Sequence, residues 1–494
     1  MAVKFVLSNG AVDKQRCDLL AVTAASGAKL SAAATAIDRL LDGTLSRSAA
    51  ANAFSGKLGE TLVVGASGIG AKSVVLVGTG MASELTVDGL RRVGAAIAQR
   101  SRKAKSVAVA ATDALPAAVD IADALAAIGE GIVLGNYQFI KYKSEQKRSI
   151  LASVAIVGVS GARVATAVDG AVIAANATCW ARDMINEPAA AKSPADMVTA
   201  ATKLLRGKSV KVDAWQGAEL AKRKLNGTII VGQGSRRTPR FLRLEYAPRD
   251  ARHTVALIGK GVVFDSGGYS LKPSSGMEQM KTDMSGAAAV IATMSVLAEL
   301  GVHSRVVGYV PLVENMIGGN AYRLGDVITY RNGKTVEVMN TDAEGRLILA
   351  DALCLASDEA PDAMINLATL TGACMVALGP KVAGMMGNND AWIDQIKAAS
   401  ERSGEPLWKL PLPPEYRKML DSEIADMKNV GGSYGGALTA GLFLKEFVGK
   451  VPWAHLDIAG PSRAESDDAY LSRGGTGFGV RTLVELVQTF RKPR

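Results

Sequence analysis

Residues 340–353 read N-T-D-A-E-G-R-L-I-L-A-D-A-L and place a dense group of charges beside an apolar segment. The preceding residues 335–339 are rich in β-branched side chains and predict a strand, and the apolar run that follows predicts a buried helix. Asp342 and Glu344 are two residues apart, so an extended backbone would direct both carboxylates to one face. Buried carboxylates repel each other unless they are protonated, paired or bound to metal. The single arginine of the stretch offsets one charge, so we expect a metal cation with further ligands from elsewhere.

A second charged segment, G-K-G-V-V-F-D-S-G-G at residues 259–268, directly follows a predicted buried strand. It contributes Lys260 and Asp265, and the chain beyond it adds Lys272 and then Asp283, which precedes a predicted helix of small residues. The chain has only 3 histidines and lacks an H-E-x-x-H motif. Any metal site is therefore expected to consist mainly of oxygen ligands.

These two segments resemble those of the leucyl aminopeptidases, the cytosol aminopeptidase family of M17-type peptidases with two metal ions. N-T-D-A-E-G-R-L matches the hallmark octapeptide of that family at every position. The resemblance is nearly continuous from about Ala181 to Leu486 and weak in the first domain. It implies a metal-dependent aminopeptidase that removes N-terminal residues from peptides through a hydroxide bridging two metal ions.

The resemblance also implies the metal ligands. Asp265 and Glu344 would be shared by two divalent cations, Lys260 and Asp283 would complete the tighter site, and Asp342 would complete the more exchangeable one. Lys260 could bind only as a neutral amine. The oxygen-rich set suits manganese or magnesium and the nitrogen ligand admits zinc, so the choice of metal stays open. A structural alternative for Lys260 is an ion pair with Asp265.

Two further cations match family residues that act on the substrate. Lys272 would stabilise the oxyanion of the intermediate, and Arg346 would hold a bicarbonate ion that transfers protons. A structural alternative for Arg346 is an ion pair with Asp342. A leucine-like first residue of the peptide would lie in a pocket with Met280 at its floor and a wall formed by Thr369, Leu370, Thr371 and Gly372.

The chain as a whole predicts an α/β protein with two domains. Its 494 residues provide ample core. We predict a small N-terminal α/β domain at residues 1–163, a linker helix at 164–185, and a larger α/β/α catalytic domain at 186–494 with a mixed central sheet. The N-terminus lacks the features of a secretory signal, no apolar run was found to approach the ~20 residues that cross a bilayer, and the 4 scattered cysteines are typical of free thiols. These features predict a cytoplasmic protein without a membrane partner.

Positive charge is concentrated in the first third of the chain. Residues 1–165 contain 19 Lys and Arg against 12 Asp and Glu and so carry +7 of the net charge of +10. Two clusters stand out: Arg100, Arg102, Lys103 and Lys105, and Lys141, Lys143, Lys147 and Arg148. The simpler interpretation is solvated helix ends and loops. The alternative is sequence-independent DNA binding through phosphate contacts, which some bacterial members of the resembled family show.

Three classes of function therefore compete. The first is the aminopeptidase, for which the resemblance implies a homohexamer. The second is a DNA-binding or regulatory protein with a vestigial site, which the intact set of predicted ligands disfavours. The third is a two-metal phosphoryl-transfer enzyme. The glycine-rich residues 65–73 are the only resemblance to a phosphate loop, and a strand follows them where such a loop requires a helix.

Overall fold

The structure, a computed structural model, describes residues 3–116 and 119–494. The chain forms two compact units: unit 1 comprises Met1–Cys179 and Ser466–Ser472, and unit 2 comprises Trp180–Glu465 and Arg473–Arg494. Each unit contains a mixed sheet with helices. The predicted α/β class is therefore confirmed. The boundary between the units falls inside the helix predicted as a linker, which spans Ala162–Asn186.

Unit 1 is built on a 7-stranded sheet in which all neighbouring pairs are parallel except two antiparallel ones. Its strands are β1 (Lys4–Ser8), β2 (Cys17–Ala25), β3 (Lys29–Leu30), β4 (Thr61–Gly65), β5 (Ala71–Gly78), β6 (Ser106–Ala110) and β7 (Ser153–Val157). The strand order is β1-β7-β6-β2-β5-β4, with β3 paired to β2. The helices of the first part of the chain are α1 (Ala32–Leu40), α2 (Thr44–Ala51), α3 (Val87–Ser101), α4 (Ile121–Gly135) and α5 (Ala162–Asn186).

Local sequence signals explain the elements of unit 1. The Thr86 hydroxyl caps α3 by accepting a hydrogen bond from the Gly89 amide at 3.1 Å. Helix α4 begins at Ile121, and the Asp120 carboxylate caps it by accepting a hydrogen bond from the Ala122 amide. The glycine-rich residues after β4 form the connection of an antiparallel hairpin with β5, so the strand predicted after the loop-like motif is confirmed.

Unit 2 is built on a 9-stranded mixed sheet in the order β17-β16-β19-β15-β10-β12-β9-β8, with β11 paired to β12. Its strands are β8 (Val210–Gln216), β9 (Arg240–Tyr246), β10 (Thr254–Gly259), β11 (Gly261–Asp265), β12 (Arg305–Asn315), β15 (Ala363–Ala368), β16 (Ala383–Gly387), β17 (Leu407–Lys409) and β19 (Trp453–Asp457). Two small sheets add β13 (Val327–Thr329), β14 (Thr335–Glu337) and β18 (Met427–Lys428), and β20 (Arg463–Ala464) with β21 (Gly474–Gly475).

Ten helices of the described chain follow α5 and pack against this sheet or its loops. They are α6 (Pro194–Leu205), α7 (Ala218–Lys222), α8 (Asn226–Gly232), α9 (Ser274–Met277), α10 (Ser285–Met294), α11 (Glu344–Asp358), α12 (Gly372–Leu378), α13 (Asp390–Ser403), α14 (Gly436–Lys445) and α15 (Val480–Gln488). The buried faces of α8, α11 and α14 share one hydrophobic core with β10, β12 and β19.

Helix α5 is the one described helix that is long and apolar enough to cross a membrane by length and composition alone. Of its apolar 18-residue stretch, 39% is buried within the protein. Core helices of soluble proteins pass the same test, so the property is weak support for a membrane segment.

Four neighbouring strands of unit 2 run in the same direction and end at one edge of the sheet. Strands β10, β12, β15 and β19 are parallel to their neighbours in this group, and β11 pairs with the end of β12 in the same direction. The residues that follow such strand ends are the usual location of binding sites in α/β sheets. Asp265 ends β11 directly beside Asn315, which ends β12.

Candidate active site

Four acidic side chains converge at this edge of the sheet. Asp265 ends β11, Asp283 follows a 3-10 turn before α10, and Glu344 is the first residue of α11. Ligand oxygens of Asp265, Asp342 and Glu344 all lie within 4.8 Å of one another. Asp265, Asp283 and Glu344 are buried, and the side chain of Asp342 is 32% exposed.

The backbone brings Asp342 and Glu344 together in a different way from the one expected. The residues before Glu344 form a turn, in which the Asn340 carboxamide accepts a hydrogen bond from the Asp342 amide at 2.8 Å. Glu344 then opens α11. The predicted extended backbone at this pair is therefore wrong, because strand β14 ends already at Glu337. The turn and the first helical residue direct both carboxylates into one cluster.

Two lysines lie among the acids. The Lys260 ammonium is 2.8 Å from Oδ1 of Asp283 and 2.8 Å from Oε1 of Glu344, and it also donates a hydrogen bond to the Thr369 carbonyl at 2.9 Å. Among the described residues, the Lys260 ammonium therefore pairs with Asp283 and Glu344. The ion pair with Asp265, which was the structural alternative for this lysine, is not formed.

The second lysine, Lys272, connects the other two acids. Its ammonium is 2.9 Å from Oδ2 of Asp265 and also pairs with Oδ1 of Asp342. The Arg346 guanidinium, which is 6% exposed, donates a hydrogen bond of 2.7 Å to the Asn429 carbonyl. Among the described residues it forms no ion pair with Asp342.

The crowding of like charges changes the ionisation of the cluster. Burial raises the pKa of Asp283 and of Glu344, and the neighbouring carboxylates act in the same direction. Burial and the charges of Asp265 and Glu344 raise the pKa of Asp342 to about 7. For Lys260, burial acts to lower the pKa, but the attraction of the surrounding carboxylates outweighs it and the pKa is raised.

The donor set fits divalent cations. Four carboxylates face only two ammonium groups, so negative charge is in excess. Oδ2 of Asp283 and Oε2 of Glu344 are buried without a hydrogen-bond partner among the described residues. Unpaired buried carboxylate oxygens are costly unless a cation or a hydrogen bond satisfies them. Oxygen-rich clusters of this kind bind Mn²⁺ or Mg²⁺, and an amine ligand makes Zn²⁺ compatible as well.

The predicted substrate wall is connected to this cluster. The Thr369 hydroxyl donates a hydrogen bond of 2.6 Å to Oδ1 of Asp283. Leu370 packs against the core of unit 2, Thr371 is buried and Gly372 begins α12. Met280, the predicted floor, begins the 3-10 turn that leads to Asp283.

Two residues that the sequence analysis did not select hold the site in place. Asn315 donates hydrogen bonds to Oδ1 of Asp265 at 2.8 Å and to the Thr341 carbonyl at 2.9 Å. Asp457 accepts hydrogen bonds from the Leu370 amide at 3.2 Å and from the Thr371 hydroxyl at 2.7 Å. Both are polar residues at the ends of apolar strands, and that position is the signal that could have identified them.

A cavity of about 750 Å³ lies elsewhere in unit 2, between the end of α11 and α14. Its lining includes Lys334, Cys354, Arg417 and Glu446 but none of the predicted site residues. Lys334 and Arg417 both pair with Glu446, so this carboxylate on the cavity wall already has two cationic partners. The acidic cluster is the better candidate for chemistry.

A parallel-sheet edge that presents four carboxylates, two lysines and an arginine is suited to a metal-dependent hydrolase. Two family models match the chain: the catalytic domain of the cytosol aminopeptidase family at residues 179–484, and its N-terminal domain at residues 20–146. The chain belongs to the cytosol aminopeptidase family and is a metallo-exopeptidase.

Individual relatives agree with this assignment. A probable cytosol aminopeptidase of Streptomyces griseus subsp. griseus is 42% identical over 508 residues, covering 98% of each chain. One of Brucella melitensis biotype 1 is 43% identical over 445 residues, covering 88% of this chain and 91% of the relative.

Solved structures are similar along almost the whole chain. A mutant of tomato leucine aminopeptidase is 35% identical with a TM-score of 0.90, covering 99% of this chain and 97% of that one. The bottromycin maturation enzyme BotP in complex with Mn is 37% identical with a TM-score of 0.86, covering 95% and 99%. The family resemblance is thus confirmed, and the match to the N-terminal family model at residues 20–146 shows that it extends into the first domain, where the motif resemblance is weak.

Proposed function

We propose that this protein removes leucine-like N-terminal residues from peptides with the help of two divalent metal ions. The observation that carries the proposal is the convergence of Asp265, Asp342 and Glu344 within 4.8 Å, with Lys260 in contact with both Glu344 and Asp283. In such a cluster, two divalent cations would supply Lewis acidity and would lower the pKa of a water molecule held between them.

Each proposed ligand has a distinct role in binding the two ions. Asp265 and Glu344 would hold both ions, Lys260 and Asp283 the tighter one, and Asp342 the more exchangeable one. The exposure of Asp342 is consistent with exchange, because its carboxylate is the one that solvent reaches. Lys260 would have to lose its proton to serve as a ligand, so metal binding would release a proton from this residue. Mn²⁺ and Zn²⁺ are both proposed ions.

Lys272 and Arg346 are the proposed catalytic side chains. The Lys272 ammonium is close to two of the metal-site carboxylates, at a position from which a fixed positive charge would stabilise negative charge on the peptide oxygen. Arg346 is a buried guanidinium that contacts a neutral carbonyl, which leaves its charge available for an anion. Bicarbonate is the proposed anion, and it would carry protons from water to the departing amine.

The substrate's first residue would lie against Thr369, Leu370, Thr371 and Gly372, with Met280 below it. The support is the attachment of this wall to the metal cluster through Thr369 and to the sheet through Asp457. An apolar floor favours leucine-like residues. Since one methylene is worth only ~1–3 kcal/mol in a hydrophobic pocket, the selectivity should be broad.

The deciding experiment is hydrolysis of a leucine anilide before and after removal of metals by a chelator. We expect activity to disappear with the metals and to return when Mn²⁺ or Zn²⁺ is added back alone. A Lys272→Ala variant should bind the same amount of metal and turn over far more slowly. Full activity of the metal-free protein would refute the two-metal proposal.

A cytoplasmic location and a homohexameric assembly are further proposals, which rest on the family assignment. The curated relatives are named cytosol aminopeptidases. Light scattering coupled to gel filtration measures the assembly directly. A mass near that of one 51.3 kDa chain would contradict the hexamer.

DNA binding is a second proposed function, favoured by one structural observation. The two basic clusters are adjacent in unit 1: the Ile150 amide donates a hydrogen bond to the Arg102 carbonyl at 3.1 Å, and the Ala152 amide donates one to the Lys105 carbonyl at 2.9 Å. The exposed cations of this basic edge are Arg100, Lys103, Lys105, Lys141, Lys143, Lys147 and Arg148. Clustered exposed cations on one edge favour contacts with phosphates.

A mobility shift of a DNA duplex at increasing salt tests this second function. Binding through phosphates should weaken steeply as salt rises. The Lys103→Glu/Lys105→Glu double variant should weaken binding further, whereas Lys203→Glu, an exposed reversal in α6 of unit 2, should have little effect. Absence of a shift at low salt would remove the proposal.

A further inference from the structure

Strand β19 carries three buried polar or amphipathic side chains at alternate positions: Trp453, His455 and Asp457. Alternate residues of a strand point to the same face. Trp453 belongs to the core that contains α11, and Asp457 holds the predicted substrate wall. His455 lies between them and is fully buried. Among the described residues, only one of its two ring nitrogens has a hydrogen-bond partner.

Hydrogen bonds fix which ring nitrogen of His455 carries the proton. The Trp453 indole Nε1–H can only donate, and it donates to Oδ1 of Asn366 at 2.8 Å. The carboxamide is thereby oriented with its NH₂ group toward His455, whose Nδ1 lies 2.8 Å away. Since that NH₂ group can only donate, Nδ1 accepts. Burial lowers the pKa of His455 to about 3, so the ring is neutral and its single proton is on Nε2.

The Nε2–H group of His455 is therefore a donor, and it has no hydrogen-bond partner among the described residues. The Nε–H group of Arg346 is in the same situation. Both side chains are more than nine-tenths buried. Arg346 lies in the first turn of α11, and the face of β19 that carries His455 also carries Trp453, which shares one hydrophobic core with α11. The positive charge of Arg346 contributes to the lowered pKa of His455. Two buried donors without acceptors are costly unless an acceptor joins them.

We propose that His455 is a positioning residue that, through its Nε2–H, helps Arg346 to hold a small planar oxyanion. The inference rests on the proposed function of Arg346 and adds a second, uncharged donor to it. A guanidinium presents parallel donors to a planar anion, and a fixed neutral donor beside it restricts the orientation of that anion. Asn366 and Trp453 contribute indirectly, because their hydrogen bonds fix the tautomer of His455.

The test compares three variants of the full-length, metal-loaded enzyme. His455→Leu removes the donor, His455→Gln replaces it with a carboxamide that can donate from a similar position, and Met386→Leu is the matched control. Met386 is fully buried and faces His455 across the β16–β19 pair. The measurements are the bicarbonate concentration that gives half-maximal activation, and the shift of melting temperature that bicarbonate produces in the absence of substrate.

We expect His455→Leu to raise the half-activating bicarbonate concentration about tenfold and to abolish most of the thermal shift. His455→Gln should restore both to within about twofold of the unmodified protein, and Met386→Leu should leave both unchanged. If His455→Leu misfolds, the Gln variant and the ¹⁵N spectrum of the histidines still decide, because a proton found on Nδ1 would overturn the proposal.

The outcomes separate this inference from the proposed function. If Arg346→Met loses bicarbonate activation but His455→Leu keeps it, His455 is a core residue only and the inference fails alone. If bicarbonate affects neither the unmodified protein nor Arg346→Met, the proposed part of Arg346 fails and the inference fails with it. Equal effects of His455→Leu and Met386→Leu would assign the change to packing and would also overturn the inference.

Discussion

The Thr369 hydroxyl donates a 2.6 Å hydrogen bond to Oδ1 of Asp283, the same oxygen that the Lys260 ammonium approaches at 2.8 Å. One carboxylate oxygen thus joins the acidic cluster to the wall of the predicted substrate pocket. A substitution in the wall should therefore change the affinity of the proposed metal site. Loss of a proposed ligand should in turn change the affinity for substrate.

Replacing Thr369 with valine should weaken both metal binding and catalysis. Valine keeps the shape but removes the donor to a charged oxygen, a loss of ~1.5–3 kcal/mol. We expect kcat/KM to fall roughly 10-fold to 100-fold by the same relation, with a matching rise in the metal concentration needed for activity. Thr369→Ser keeps the hydroxyl and should remain close to the unmodified enzyme. Equal kcat/KM values and equal metal requirements of the two variants would show that the hydrogen bond from Thr369 to Asp283 does not link the wall to the metal site.

Replacing Glu344 with glutamine should reduce the number of bound metal ions. The side chain keeps its size but loses the charge that the proposal places between two cations. Elemental analysis of the purified protein gives the stoichiometry directly. Glu278→Gln, an exposed acid outside the cluster, is the matched charge control. A full metal complement in Glu344→Gln would show that this carboxylate is not a shared ligand.

Replacing Gly345 with alanine should disturb Lys260 without changing any charge. A Cβ atom at this position would lie 2.5 Å from Cε and 2.7 Å from Nζ of Lys260. The lysine would have to move away from Asp283 and Glu344, so activity should fall at least tenfold by the usual sensitivity of catalysis to misplacement. Circular dichroism should remain unchanged. Gly276→Ala, whose Cβ would meet nothing closer than 3.9 Å, should be harmless.

Asp351 should make the stability of the protein depend on pH. Burial raises its pKa to about 7, although hydrogen bonds from Thr228 and Gly227 oppose the shift. Because the folded pKa lies above that of an unfolded aspartate, the folded chain binds the extra proton between about pH 4 and 7. The contribution is therefore largest at low pH and is lost as pH rises through about 7.

Between pH 5 and 8 this loss amounts to about 2–3 kcal/mol. Asp351→Asn, which resembles the protonated acid, should flatten that part of the profile. Urea unfolding at the two pH values measures the change. A variant whose stability falls with pH as steeply as that of the unmodified protein would show that Asp351 is ionised in the fold at both values.

The sequence predicted the chemistry of the site better than its geometry. The octapeptide around Asp342 and Glu344 identified the family, and the structure places both acids in one cluster with Asp265. The expectation that extended backbone directs the Asp342 and Glu344 carboxylates to one face was wrong. A period-two argument assumes extended backbone, whereas the side chain of Asn340 folds this segment into a turn.

The remaining parts of the site depend on contacts between distant segments. Asn315 and Asp265 are 50 residues apart and meet because β11 joins the end of β12. The tautomer of His455 likewise follows from the orientation of Asn366, 89 residues away. Pairing between strands that are 50 or more residues apart leaves no pattern in the sequence of either strand. The periodicity of the sequence therefore could not predict these contacts.

The short return of the chain into unit 1 limits how the protein can be dissected. Ser466–Ser472 belongs to unit 1, where the Tyr470 hydroxyl donates a hydrogen bond to Asp88 at 2.6 Å and Asp468 lies 3.4 Å from Arg92. A recombinant fragment ending at Cys179 would leave this heptapeptide behind. Independent expression of the first unit would therefore need the heptapeptide supplied through a redesigned linker, and crossovers between relatives should exchange both pieces together.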